Sequence, residues 1–157
     1  MGIGNELIVG DTGTGKTRML VEMIKRVKDQ KVIVVDGIMR EIFDQNDFSR
    51  NQNIVDYFRD VPITGTYNRL FKNMLRDFRN GYFNDVDAVF IDDGYLHLYT
   101  TGSSKLKEEA VEFIESIVHT GIRLVIATQK NPKQGKYKDL FEEFKVSKVS
   151  KACLAVC

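Results

Sequence analysis

Short apolar runs alternate along this chain with stretches whose apolar residues recur at helical spacing. Glu6 to Gly10 (ELIVG) predicts a short buried strand that ends in glycine. Thr17 to Lys28 follows as a helix, with Met19, Leu20, Met23, Ile24 and Val27 on one face. Lys31 to Asp36 (KVIVVD) predicts a second strand, β-branched and apolar on both faces, which suits a parallel sheet covered by helices. Asp87 to Asp92 reads as a third strand and Ile122 to Thr128 as a fourth. Between them, Leu106 to His119 predicts an amphipathic helix, with Gly121 placed to end it. Thr66 to Arg79 predicts another helix, apolar through Tyr67, Leu70, Phe71, Met74, Leu75 and Phe78. Arg69, Lys72, Arg76 and Arg79 line its other face. Tyr137 to Phe144 reads as a short helix and Val146 to Val156 as a last strand. The rest of Gly37 to Asp85 has no clear period, and polar Asp44 to Asn53 reads as a loop. The alternation predicts an α/β fold with a mainly parallel sheet flanked by helices.

Composition narrows the setting. The 157 residues are 43% hydrophobic and 29% charged, with a net charge of +1. These figures predict one globular domain and exclude a disordered chain. No apolar run approaches the ~18 residues of a membrane helix, and Met1 to Leu7 lacks the pattern of a secretory signal. Cys153 and Cys157, both at the C-terminal end, cannot form a disulfide framework, so the expected setting is the reducing cytoplasm. Near-neutral charge argues against coating nucleic acid by bulk charge, though not against a local basic patch.

Gly10-Asp11-Thr12-Gly13-Thr14-Gly15-Lys16-Thr17 matches G-x-x-x-x-G-K-[ST] at every position, between a predicted strand and a predicted helix. Glycines let backbone N–H groups approach phosphate oxygens, and the helix start adds its positive dipole end. The expected ligand is ATP, held by Asp11, Thr12, Gly13, Thr14, Gly15, Lys16, Thr17 and Arg18. Lys16 reaches the β and γ phosphates, and the Thr17 hydroxyl ligates Mg²⁺. Asp92 closes an apolar strand and is the expected second Mg²⁺ ligand, while Asp93 is placed to orient the attacking water. Gln129, just past the fourth strand, is placed to sense the γ-phosphate. Lys16, Asp93 and Gln129 are therefore the expected catalytic set.

Four blocks together resemble the FtsK/HerA family of DNA-pumping ATPases. They are Leu7 to Thr17, Val32 to Asp36, Val89 to Asp93, and His119 to Pro132 with its Ala127-Thr128-Gln129 and following Lys130. The last block carries the resemblance to the family, since the phosphate loop alone marks only the superfamily. The resemblance implies a RecA-like core, a homo-oligomeric ring, commonly a hexamer, and ATP-driven movement of double-stranded DNA. Where that family usually has Asp-Glu, this chain has Asp92-Asp93. The length leaves no room for the membrane region and winged-helix domain of chromosome-segregation members. A stripped-down relative is implied, such as a viral genome-packaging ATPase or a plasmid or phage transfer protein, working with viral or mobile-element proteins.

Two other readings stay open. Asp92-Asp93-Gly94 also resembles the helicase-loader and initiator branch of AAA+ proteins, although few residues follow Gln129 to build that branch's lid. A nucleotide-binding adaptor without turnover is the other. Thr128-Gln129-Lys130-Asn131 lacks the guanine-reading pattern of GTPases. Lys130, Lys133, Lys136 and Lys138 form an acid-free stretch that either neutralises DNA phosphates or is a solvated loop. A ring would also take an arginine from a neighbour, and Arg40, Arg59, Arg69, Arg76, Arg79 and Arg123 are all candidates. His97 and His119 have no partner at metal-ligand spacing.

Overall fold

The computed structural model describes residues 4–11, 14–27, 29–36, 41–46, 48, 53–57, 70–92, 98–100, 105–133 and 135–150. In chain order the elements are β1 (Glu6–Val9), α1 (Lys16–Arg26), β2 (Val32–Val35), α2 (Glu41–Gln45) and β3 (Ile54–Asp56). Then come α3 (Leu70–Arg79), β4 (Ala88–Ile91), α4 (Glu108–Val118), β5 (Arg123–Thr128), a 3₁₀ turn (Gly135–Tyr137) and β6 (Lys145–Lys148). The strands form one six-stranded sheet in the order β3-β2-β4-β5-β1-β6. Every neighbouring pair is parallel.

Parallel pairing explains the apolar strands. Period-2 alternation sends successive side chains to opposite faces, and helices cover both. On one face, Leu7, Ile33, Val35, Val89, Ile91, Leu124 and Ile126 pack with Leu70, Phe71 and Met74 of α3 and Phe113, Ile114 and Ile117 of α4. On the other, Ile8, Val32, Val34, Ala88, Phe90, Val125 and Ala127 pack with Leu20, Val21 and Ile24 of α1 and Ile42 of α2. Phe113 anchors the first layer, its ring 5.8 Å from Phe71, 5.7 Å from Phe83 and 6.3 Å from Phe78.

Several expectations are corrected here. The sheet has a strand, β3, in the stretch of Gly37 to Asp85 that lacked a readable period. Its three residues, Ile54, Val55 and Asp56, are too few to show one. Of the polar stretch Asp44 to Asn53 expected as a loop, residues 47 and 49–52 lie outside the described residues, while Asp44 and Gln45 belong to α2. Asp36 explains this: its carboxylate oxygens accept hydrogen bonds from the backbone N–H groups of Ile42 (3.2 Å) and Phe43 (3.0 Å). A residue outside the helix thus satisfies its otherwise orphan donors. The short helix expected over Tyr137 to Phe144 is a 3₁₀ turn at Gly135–Tyr137 followed by turns through Glu143. The last strand starts at Lys145 and ends at Lys148, well short of Val156. Residues 151–157, with Cys153 and Cys157, lie outside the described residues, as do Thr66 to Arg69 of the predicted third helix.

A buried polar clasp joins β3 to α3. The Tyr57 hydroxyl donates to Asp77 at 2.6 Å, and Arg76 donates to the same carboxylate at 3.2 Å through two nitrogens. Burial, then the hydrogen bond and charge of Asp77, push the Tyr57 phenol well above its usual range, so it stays a donor. At the outer edge, exposed Lys145 and Lys148 bracket β6, a charged edge of the kind that discourages strand addition. No helix among the described residues is long and apolar enough to cross a membrane.

Phe113→Ala should lower the free energy of unfolding by about 3–5 kcal/mol. Urea or guanidinium denaturation checks this, and a loss well under that range would show that α4 is not anchored by this ring.

Candidate functional site

Because all strands run the same way, all their C-terminal ends meet at one edge. Chain order gathers Gly10 after β1, Asp36 after β2, Asp56 at the end of β3, Asp92 after β4 and Thr128 at the end of β5. β5 and β4 lie between β1 and β2, so strand order switches beside β1. Ligand crevices of open α/β sheets form at such a point.

The loop from Gly10 to Thr17 is folded tightly upon itself. Thr14 donates its hydroxyl (2.6 Å) and its backbone N–H (3.2 Å) to the Asp11 carbonyl. Lys16 Nζ donates to the carbonyl oxygens of Gly10 (2.5 Å) and Asp11 (3.0 Å). Gly15 is the N-cap of α1 at φ 96°, a left-handed conformation that a side chain would strain. Gly10 is confined differently. A Cβ there would lie 2.5 Å from the Val149 carbonyl oxygen and 2.6 Å from Thr14 Oγ1. Glycine thus lets the start of the loop pack against the chain after β6 and against Thr14, where any larger residue would collide. Thr12 and Gly13 lie outside the described residues, and Arg18 is exposed on the first turn of α1.

α1 and β4 bring the two expected metal ligands together. Thr17 Oγ1 donates to Asp92 Oδ2 at 2.9 Å. Asp92 is only 7% exposed, and its backbone N–H donates to the Val35 carbonyl, which locks it beside the end of β2. A hydroxyl and a carboxylate are hard oxygen donors, and that set fits Mg²⁺ together with phosphate and water oxygens. Among the described residues no group of three or more His, Cys, Asp or Glu side chains could hold a metal ion. Asp93 lies outside the described residues, as do Arg40, Arg59, Arg69 and His97.

The end of β5 separates its two polar residues. Thr128 is fully buried, and its hydroxyl has no hydrogen-bond partner among the described residues. Its carbonyl accepts the Gly10 N–H at 3.2 Å, tying β5 to the root of the loop. Gln129 is exposed. Alternation along β5 puts Val125 and Ala127 on the α1 face, and Gln129 follows just past the strand's end.

Three of the candidate arginines lie among the described residues, Arg76, Arg79 and Arg123. Arg76 is held by Asp77 and Arg79 by Glu112. Arg123 starts β5, at the edge opposite the loop, with its guanidinium 5.8 Å from the centre of the Phe90 ring. Burial lowers its pKa, and the charge of Glu6 opposes the shift. Of the basic stretch, Lys133 is withdrawn, because its ammonium donates to the carbonyls of Glu142 and Phe144, each at 3.0 Å. Sequence reasoning missed Asp36 as a buried neighbour of Asp92, although its place at the end of an apolar strand was a usable signal.

No protein-family model matches the sequence, and no curated protein matches it. Solved structures do. A KaiC-like protein from the hyperthermophilic archaeon Pyrococcus horikoshii is 20% identical, with a TM-score of 0.63, over 92% of this chain and 72% of that one. The likeness is one of fold, a parallel sheet with helices on both faces. The genome packaging NTPase B204 of Sulfolobus turreted icosahedral virus 2, in complex with ATP-gammaS, is 17% identical with a TM-score of 0.55. That match covers 82% of this chain and 67% of B204. The DNA-packaging ATPase B204 of Sulfolobus turreted icosahedral virus is 18% identical with a TM-score of 0.51, over 84% and 68% of the two chains.

Gly10→Ala should cost about 1–3 kcal/mol of stability, since neither Val149 nor the loop can yield without moving backbone. Denaturant unfolding measures it, and an unchanged midpoint would mean the loop does not need the space.

Proposed function

We propose that this protein is an ATPase that powers translocation or packaging of double-stranded DNA as a homo-oligomeric ring, in the manner of the FtsK/HerA family. The carrying observation is the 2.9 Å hydrogen bond that joins Thr17 of the phosphate loop to Asp92 of β4. It supports the reading that these two oxygens take a cation beside a loop whose sequence suits phosphate. The DNA part rests on the sequence resemblance and on the likeness in fold to B204, described as a DNA-packaging ATPase.

In this reading Lys16 exchanges its two loop carbonyls for the β and γ phosphates of ATP. The ammonium is already positioned by the loop, so little reorganisation opposes the exchange. Thr17 and Asp92 would hold Mg²⁺, which would supply positive charge to the phosphate oxygens. Asp93 orients the attacking water, and its reach is one methylene shorter than a glutamate's. Gln129 offers its amide to the γ-phosphate from the end of β5. The backbone amides of Asp11 to Thr17 and the N-terminus of α1 neutralise the remaining phosphate charge. Arg18 flanks this set at the mouth. A neighbouring subunit supplies an arginine, and the protein works in the cytoplasm of a cell, the host's for a viral protein.

Lys16→Ala should lower kcat by about 10²–10³-fold, measured as phosphate release. Undiminished turnover would remove the site assignment. Duplex DNA should raise turnover, and the solution mass should be a multiple of 18.0 kDa. A monomer whose turnover ignores DNA would leave an ATPase without the motor, and ATP binding without turnover would make it an adaptor.

A further inference from the structure

A second cleft of about 620 Å³ opens near the same edge of the sheet. Its walls come from two segments that follow the strands of the candidate site. After β4, Tyr99 bridges to Leu106 as a short antiparallel pair. That arm is held by Thr100 N–H donating to the Lys105 carbonyl (2.9 Å) and Lys107 N–H to the Leu98 carbonyl (2.8 Å). After β5 comes the loop carrying Lys130, Asn131 and Lys136. The two walls are fastened together, since the Leu106 N–H donates to the Tyr137 hydroxyl at 3.0 Å.

Tyr99, Lys105, Lys130, Asn131, Lys136 and Tyr137 line this cleft, and no Asp or Glu is among the described residues that do. Its volume falls within the roughly 300–1,000 Å³ of ligand clefts. Lysine ammonium groups are compact point charges that attract phosphate, and three of them come together here from two separate segments. The DNA-handling function proposed above makes that phosphate part of a polynucleotide. Lys136 sits 5.2 Å over the Tyr137 ring, which steadies its ammonium at the cleft. Lys133 belongs to the turn at Glu142 and Phe144 and is not part of the lining.

We infer that this cleft binds the phosphodiester backbone of a nucleic acid, with Lys105, Lys130 and Lys136 as its phosphate contacts. The inference rests on the DNA-handling function proposed above and assigns residues to it. Lys105 enters only through tertiary structure, and Lys133 and Lys138 drop out of the basic stretch. Contacts of this kind read charge rather than base sequence. One wall follows β5 directly, so Lys130 of the cleft is the chain neighbour of Gln129.

The test measures binding of a short labelled DNA duplex to the full chain across a salt series. Lys130→Gln and Lys136→Gln should each flatten the plot of log affinity against log salt by about 0.9. The double variant should keep DNA-free ATP turnover, which also shows that it folds. Lys138→Gln, an exposed lysine outside the cleft, should leave the slope unchanged. Equal flattening by Lys138→Gln would reduce the effect to net charge and overturn the cleft. Wild-type binding that the cleft variants do not weaken overturns the cleft alone and leaves the motor standing. A wild-type chain that does not bind duplex at all removes both. Displacement of the duplex by millimolar inorganic phosphate, beyond what equal ionic strength of chloride achieves, would assign the cleft to a free anion and overturn the inference.

Discussion

Parallel strand pairing is the constraint on which the rest of this structure depends. Strands that run the same way need crossovers, and the crossovers lay helices on both faces. Strands buried on two faces must be apolar throughout, as Val32–Val35 and Ala88–Ile91 are. The same geometry leaves only the strand ends for chemistry. Polar residues and a glycine-rich loop accordingly appear as each strand stops: Gly10 opens the loop to Thr17, Asp36 and Asp92 follow β2 and β4, Asp56 closes β3, and Thr128 ends β5 with Gln129 just beyond it. One edge of the sheet thereby collects groups distant in the chain.

Within that edge the polar groups hold one another before any ligand is considered. Lys16 and Thr14 fold the loop onto the carbonyls of Gly10 and Asp11. Thr17 meets Asp92, and Asp36 fixes the first turn of α2 against α1 through Ile42. Internal bonds of this sort limit reorganisation, because donors and acceptors are aimed in advance. Burial of Asp92 also strengthens the attraction of its carboxylate for a cation relative to one in water.

The legible parts of the sequence were those with strong local signals. The G-x-x-x-x-G-K-[ST] motif is complete from Gly10 to Thr17 and is recognisable from residue types alone. α1, α3 and α4 show because each has a sustained apolar face. β3 did not, because three residues cannot display a period and its pairing with β2 is non-local. α2 did not, because its start is capped from Asp36 rather than by a neighbour within the turn. The basic stretch after β5 looked uniform in sequence. The fold sorts it, sending Lys133 to carbonyls and leaving Lys130 and Lys136 to face Lys105 across a cleft.

The sequence alone determined the α/β class and the mainly parallel sheet, and it displays the G-x-x-x-x-G-K-[ST] motif, because hydrophobic periodicity and glycine spacing are local properties. Tertiary structure decided what shares a site. Strand order β3-β2-β4-β5-β1-β6 put β5 between the loop strand and the Asp92 strand, and no local signal encodes that order. It also turned Arg123 away from the loop edge and joined Lys105 to a stretch far from it in the chain. Which side chains meet depends on how covered strands pack side by side, and that is settled only when the whole sheet closes.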